Sequence, residues 1–125
     1  MPIIHNSDAR RTETPNGLMT TFASPTQGGT AIAMWRVDGV PASVGPDHTF
    51  DVDQIWTIVD GAVTVDLDGE RHALVPGDTI IMPAGVRRQV HAGAERGFAA
   101  IVAAPGGAKA SVPGGTDAVL PGWIA

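Results

Sequence analysis

Apolar and polar residues alternate in short runs along the middle of the chain, and a glycine or proline ends most runs before a helix of ordinary length could form. The clearest alternation is Val63-Thr64-Val65-Asp66-Leu67, a period of two that puts the valines and the leucine on one face of a strand. Read this way, the sequence predicts strands over 17–23, 30–38, 54–59, 62–67, 71–75, 79–82, 86–92 and 98–104. Many short strands separated by regular turn signals make an all-β sandwich or barrel.

Turn chemistry sets the spacing. Asp68-Gly69 joins the run ending at Leu67 to Glu70-Arg71-His72-Ala73-Leu74, and this pair suits a two-residue hairpin loop with positive φ. Asp60-Gly61, Pro76-Gly77-Asp78 and Pro83-Ala84-Gly85 mark further reversals. Asp66-Leu67-Asp68-Gly69 lacks the spacing of a calcium loop and reads as part of the hairpin.

From about residue 105 the composition turns to Pro, Gly, Ala and Ser, which predicts an extended tail over the surface through residue 125. Its last apolar stretch, Val119-Leu120-Pro121-Gly122-Trp123-Ile124, is expected to dock on the domain or on a neighbouring subunit.

Composition narrows the classes of function. With 125 residues the chain suits one domain, taken as 1–125. A formal net charge of -5 opposes attraction to nucleic acid or to an anionic membrane surface. Neither is expected as a partner. The absence of cysteine excludes disulfides, thiolate ligands and a thiol nucleophile, and the absence of tyrosine removes a common general acid. The N-terminal order of residues is not that of a secretory signal, so a cytoplasmic protein is expected.

Residues 41–92 carry two spaced motifs. One reads Ala42-x5-His48-Thr49-Phe50-x3-Gln54-x6-Gly61, and the other Gly77-x5-Pro83-Ala84-Gly85-x2-Arg88-x3-Ala92. These resemble the two motifs of the cupin superfamily, G-x5-H-x-H-x3or4-E-x6-G and G-x5-P-x-G-x2-H-x3-N. The resemblance implies a single-domain, jelly-roll-like β-barrel around a small-molecule pocket. It says little about chemistry, because the superfamily hosts many reactions.

Cupin metal sites typically take two histidines and a glutamate from the first motif and a histidine from the second. Only His48 remains here; Phe50, Gln54 and Arg88 occupy the other three positions. Strand alternation turns His48, Phe50 and Gln54 inward with Trp56 and Ile58, and leaves Asp47, Asp51 and Asp53 outside. It also turns Arg88 and Val90 inward and Arg87, Gln89 and His91 outward, an assignment that a one-residue slip reverses.

A guanidinium repels a divalent cation and a neutral amide is a poor carboxylate substitute, so no metal cofactor is expected. Arg88 is expected to offer donors to an oxyanion on the ligand, and His48 to move a proton. Gln54 is assigned to orient the ligand, and Trp56 and Phe50 to form apolar walls. His5 and His72 receive no role.

The leading expectation is a metal-independent enzyme, isomerase-, epimerase- or cyclase-like, acting on a small oxygen-rich or anionic metabolite. The epimerase mechanism that pairs histidine with tyrosine lacks its tyrosine here. Two alternatives stand beside it. One is a dioxygenase using Fe, Ni, Mn or Cu held by His48, Gln54 and His91. The other is a non-catalytic ligand-binding or sensing module. A homodimer is expected, with outward Ile55 and Val59 and the Trp123-Ile124 end as its interface.

Overall fold

The structure, a computed structural model, describes residues 2–125. Its strands are β1 (Arg10–Thr14), β2 (Gly17–Ala23), β3 (Ile32–Gly39), β4 (Thr49–Phe50), β5 (Gln54–Gly61), β6 (Val63–Leu67), β7 (Glu70–Leu74), β8 (Thr79–Met82), β9 (Arg88–Ala92), β10 (Phe98–Pro105) and β11 (Ala110–Ser111). A six-stranded sheet runs β1-β2-β3-β10-β5-β8, and a smaller one runs β7-β6-β9. Bridges from Val44 to His91 and from His48 to Arg88 lay residues 44–48 along the free side of β9, so the smaller sheet continues into the loop that carries His48.

Alternation decides what fills the space between the sheets. Ala33, Trp35 and Val37 on β3, Ala100 and Val102 on β10, Ile58 on β5 and Ile80 and Met82 on β8 are buried, while Val63 and Val65 face them from β6. This is the jelly-roll-like barrel that the motif spacing implies. The Asp68-Gly69 loop has positive φ at both residues, +50° and +81°, and pairs Leu67 with Glu70, as a two-residue hairpin requires. At Gly61, with φ of +76°, a Cβ would overlap the carbonyl oxygen of Gly97, so no larger residue fits where β5 passes into β6.

Two parts of the chain differ from the expectation. Strand β1 was not foreseen, because Arg10-Arg11-Thr12-Glu13-Thr14 contains no apolar residue from which to read a period. It is the edge of the larger sheet, where charged side chains discourage pairing with another molecule. The segment after residue 105 is also more than a surface tail. Ala110-Ser111 pairs with Thr49-Phe50, and Ala108 and Ile124 are fully buried. Thr21 Oγ1 donates to the Trp123 carbonyl oxygen at 2.7 Å, and Arg10 Nη1 donates to the carbonyl oxygens of Gly122 and Ala125 at 2.8 and 2.9 Å.

Among the described residues no helix is long and apolar enough to cross a membrane.

Candidate functional site

The barrel encloses a cavity of about 350 Å³, open at one end. That size lies at the lower end of small-molecule pockets, which run from about 300 to 1,000 Å³. Strands β2, β3, β4, β5, β9 and β10 each contribute to its wall. The C-terminal segment adds Val112, Pro121 and Trp123, so the segment expected to lie over the surface closes one side of the pocket. The sequence signal for its docking was the apolar run around Trp123; its place in the pocket wall had none.

His48 lines the cavity, and its Nδ1 lies 2.7 Å from the carbonyl oxygen of Pro46. A carbonyl only accepts, so Nδ1 carries the hydrogen. Burial holds the imidazole below its ordinary pKa, and the positive charge of Arg88 acts the same way; the Pro46 hydrogen bond and Asp47 oppose them without reversing the shift. The ring is therefore neutral at pH 7, with its lone pair on Nε2. Its edge rests against the Phe50 ring, with centroids 5.3 Å apart.

Gln54, also on the cavity wall, is fully buried at the start of β5. Trp56 Nε1 donates to its Oε1 at 3.1 Å. This fixes the amide, since a flipped Gln54 would set two donors against each other. Its Nε2 is left without a partner in the protein, a costly state for a buried donor unless a ligand or water meets it. Trp56 and Phe50 line the same cavity.

Arg88 turns inward and is fully buried, while Arg87 turns outward and pairs with Asp47. The inward arginine does not reach the cavity, however, and is not among the residues that line it. Its guanidinium curls back to donate from Nη2 to the carbonyl oxygens of Pro83 and Val86, at 2.8 and 3.0 Å. It lies 5.6 Å from the centroid of the Phe50 ring, whose own side chain lines the pocket. Burial lowers the Arg88 pKa, opposed by the charge of Asp53, and Nη1 has no partner. The expected direct contact between Arg88 and an oxyanion thus has no geometric basis: the alternation gave the side of the strand but not the path of a long side chain.

His91 points away from this group and bonds through Nε2 to Asp66 at 2.9 Å. It does not line the cavity with His48 and Gln54, so the three ligands of the dioxygenase alternative are not brought together. The outward aspartates are engaged locally: Asp53 accepts from the Ala84 amide and Asp51 from the Lys109 amide, both at 2.8 Å.

The donor set does not fit the metal typical of the motif. One imidazole, a phenyl ring, an amide whose oxygen is already taken by Trp56, and a buried cation offer one good ligand between them. Among the described residues no group of three or more His, Cys, Asp or Glu side chains could hold a metal ion.

Comparison with known proteins agrees with the architecture. The family model described as "Cupin domain" matches residues 35–103. The structure is similar to that of the polyketide cyclase RemF from Streptomyces resistomycificus, with TM-score 0.71, 18% identity and coverage of 84% of this chain and 79% of that one. It is similar to KdgF from Halomonas sp., with TM-score 0.69, 23% identity and coverage of 84% and 94%. It also resembles the DMSP lyase DddQ from Ruegeria pomeroyi DSS-3, with TM-score 0.73, 17% identity and coverage of 89% and 64%. No curated protein matches the sequence significantly. At these identities the structural likeness speaks to fold alone.

Proposed function

The chain belongs to the cupin family, and from that premise we propose that its barrel binds a small molecule and moves a proton on it without a metal. The observation that carries this reading is the forced tautomer of His48. With Nδ1 engaged by Pro46 and the ring neutral, Nε2 is a free base on the cavity wall. Gln54 supplies the complementary group, an N–H donor without a protein partner on the same wall.

In this reading the ligand carries an enolisable carbonyl. The C–H electron pair moves into the C–C bond as His48 Nε2 takes the proton, and the carbonyl oxygen gains negative charge that the Gln54 N–H stabilises. Where a C=C bond adjoins the α-carbon the anion is a dienolate, and return of the proton from His48 Nε2 to the γ-carbon moves the double bond and gives an isomerisation. Attack of the enolate carbon on a second carbonyl in the same molecule sends that carbonyl's π pair to its oxygen, which takes the proton back from His48 Nε2, and gives a cyclisation. A polyketide cyclase and a lyase share the barrel shape, which is compatible with such chemistry and leaves the reaction to this chain's own residues.

A non-catalytic binding module is the second reading. It is favoured by the wall itself, on which His48 is the one titratable side chain among the described residues, so that none of them sets a partner acid opposite the base.

The test is solvent exchange. Small ring ketones in deuterium oxide are followed by NMR with the wild-type protein and with His48→Gln. Enzyme-dependent deuterium uptake at the α-carbon, lost in the variant, is the expected result. Binding without uptake selects the module. Near-stoichiometric iron, nickel, manganese or copper in purified protein, lost in His48→Ala, overturns the metal-free mechanism.

A further inference from the structure

We propose that the cavity selects an uncharged, mostly apolar ring molecule carrying one or two oxygen functions, and discriminates against anionic and polyhydroxylated ligands. The inference rests on the same His48 and Gln54 wall as the function proposed above, and departs from the oxygen-rich or anionic metabolite that the sequence suggested.

Charge comes first. Among the described residues no Asp, Glu, Lys or Arg lines the cavity, and the buried cation Arg88 lies beyond the Phe50 ring with its Nε and Nη2 donors turned to Pro83 and Val86. A carboxylate or phosphate entering this space would give up its hydration and meet no counter-charge.

Hydrogen-bonding capacity is the second constraint. Thr14 Oγ1 donates to the Gly17 carbonyl, Ser43 Oγ to the Asn16 carbonyl and Trp56 Nε1 to Gln54, so these lining groups are already engaged. The side-chain groups left on the lining residues are one imidazole acceptor, His48 Nε2, the Gln54 Nε2 donor, the Asn16 amide and the indole N–H groups of Trp35 and Trp123, few for a cavity of this size and mostly donors. A sugar would bring a ring of hydroxyls, each both donor and acceptor, to a mostly apolar wall that answers only some of them.

The aromatic lining supplies the positive selection. The chain has three tryptophans, three phenylalanines and no tyrosine, and all of these except Phe22 line this one cavity. Flat apolar rings gain most from such walls, by area and by offset or edge contacts. One hydroxyl or carbonyl on the ring then meets the His48 and Gln54 pair.

Calorimetric titration of the wild-type protein with 2-naphthol, 2-naphthoate and galacturonate at pH 7 tests the proposal, because the first two share a ring system and differ in charge. The expected result is 2-naphthol binding at least about tenfold more tightly than 2-naphthoate, with no heat from galacturonate. Gln54→Met, which removes the donor at similar volume, is expected to weaken 2-naphthol by about 2- to 10-fold. Equal or tighter binding of 2-naphthoate or galacturonate overturns the ligand class, as does binding of none of the three. Those outcomes leave proton transfer by His48 standing. Conversely, a 2-naphthol preference without ketone exchange supports the ligand class and removes the catalytic reading.

Discussion

The indole N–H of Trp56 donates to Gln54 Oε1 at 3.1 Å, and this one bond decides that the amide end left without a protein partner is its donor, Nε2. The residues lie two apart on β5, so both point inward by the pleat of the strand. A carbonyl oxygen toward the cavity would make Gln54 an acceptor competing with His48 for ligand protons. Its Nε2 instead makes the pair complementary, one donor and one acceptor.

The first prediction follows from that bond. Trp56→Phe keeps an aromatic wall and frees the Gln54 amide to rotate, so binding of a ring ketone should weaken by about 2- to 10-fold, the worth of one hydrogen bond. Trp56→Phe combined with Gln54→Met should weaken it scarcely further than Gln54→Met alone, because the orientation no longer matters. A double-mutant cycle by calorimetry measures this coupling.

Much of the fold was legible because a period of two leaves a clear record. Trp35 and Val37 on β3, and Val63 and Val65 on β6, alternate with polar or exposed neighbours, and the alternation alone puts them in the core. The same rule turned His48, Phe50, Gln54 and Arg88 inward. It could not show where the Arg88 guanidinium ends, since several rotatable bonds separate it from the strand and the Pro83 and Val86 carbonyls draw it back. Nor could it assign Val112, Pro121 and Trp123 to the pocket. Their Pro- and Gly-rich surroundings have no period, and only tertiary bonds such as Thr21 to Trp123 hold them there.

His48 gives a pH prediction with a definite sign. Burial, with Arg88 behind it, lowers the folded-state pKa below the ordinary 6.5, while Asp47, itself bonded by Arg87, only partly offsets this. Between the two values the unfolded chain binds more protons than the native one. The stability contributed by the neutral ring is therefore whole above about pH 6.5 and is lost as pH falls through the folded value. Urea denaturation of wild type and His48→Gln from pH 7.5 to 4.5 should show the wild type losing more stability on acidification. Ketone exchange should likewise hold to lower pH than an unshifted imidazole would allow, which a pH profile of the exchange rate measures.

Arg88 separates a structural cation from a catalytic one. Arg88→Met replaces a buried charge that has no carboxylate partner within hydrogen-bond reach and an unpartnered Nη1 by an apolar chain of comparable length. Such replacements are often neutral in stability, and the exposed position of Pro83 lets its carbonyl turn to water. We expect ring-ketone exchange to stay within about threefold of wild type, because the guanidinium does not line the cavity. A guanidinium acting directly on an oxyanion would show itself by a fall of about 10²-fold or more.

The outer face of the larger sheet bears on assembly. Met34, Ala103, Ile55 and Ile81 are successive cross-strand partners on β3, β10, β5 and β8, so they form one uncharged row across four strands. Met34, Ile55 and Ile81 are 42%, 48% and 59% exposed, far more than their core-facing neighbours on the same strands. The Trp123-Ile124 end cannot join them as first expected, since Ile124 is fully buried and Trp123 faces its own cavity. A second copy of this chain suits the row best. A two-fold pairing sets the same apolar strip against itself, and the nearby Arg36–Asp38 pair, bonded at 3.0 Å, neutralises itself and leaves no charge to repel an identical face. Sedimentation equilibrium is expected to give a dimer mass that Ile55→Lys converts to monomer. Because residue 55 points to solvent, the variant should keep the wild-type far-ultraviolet circular dichroism, so loss of the dimer with the fold intact would locate the interface on this face.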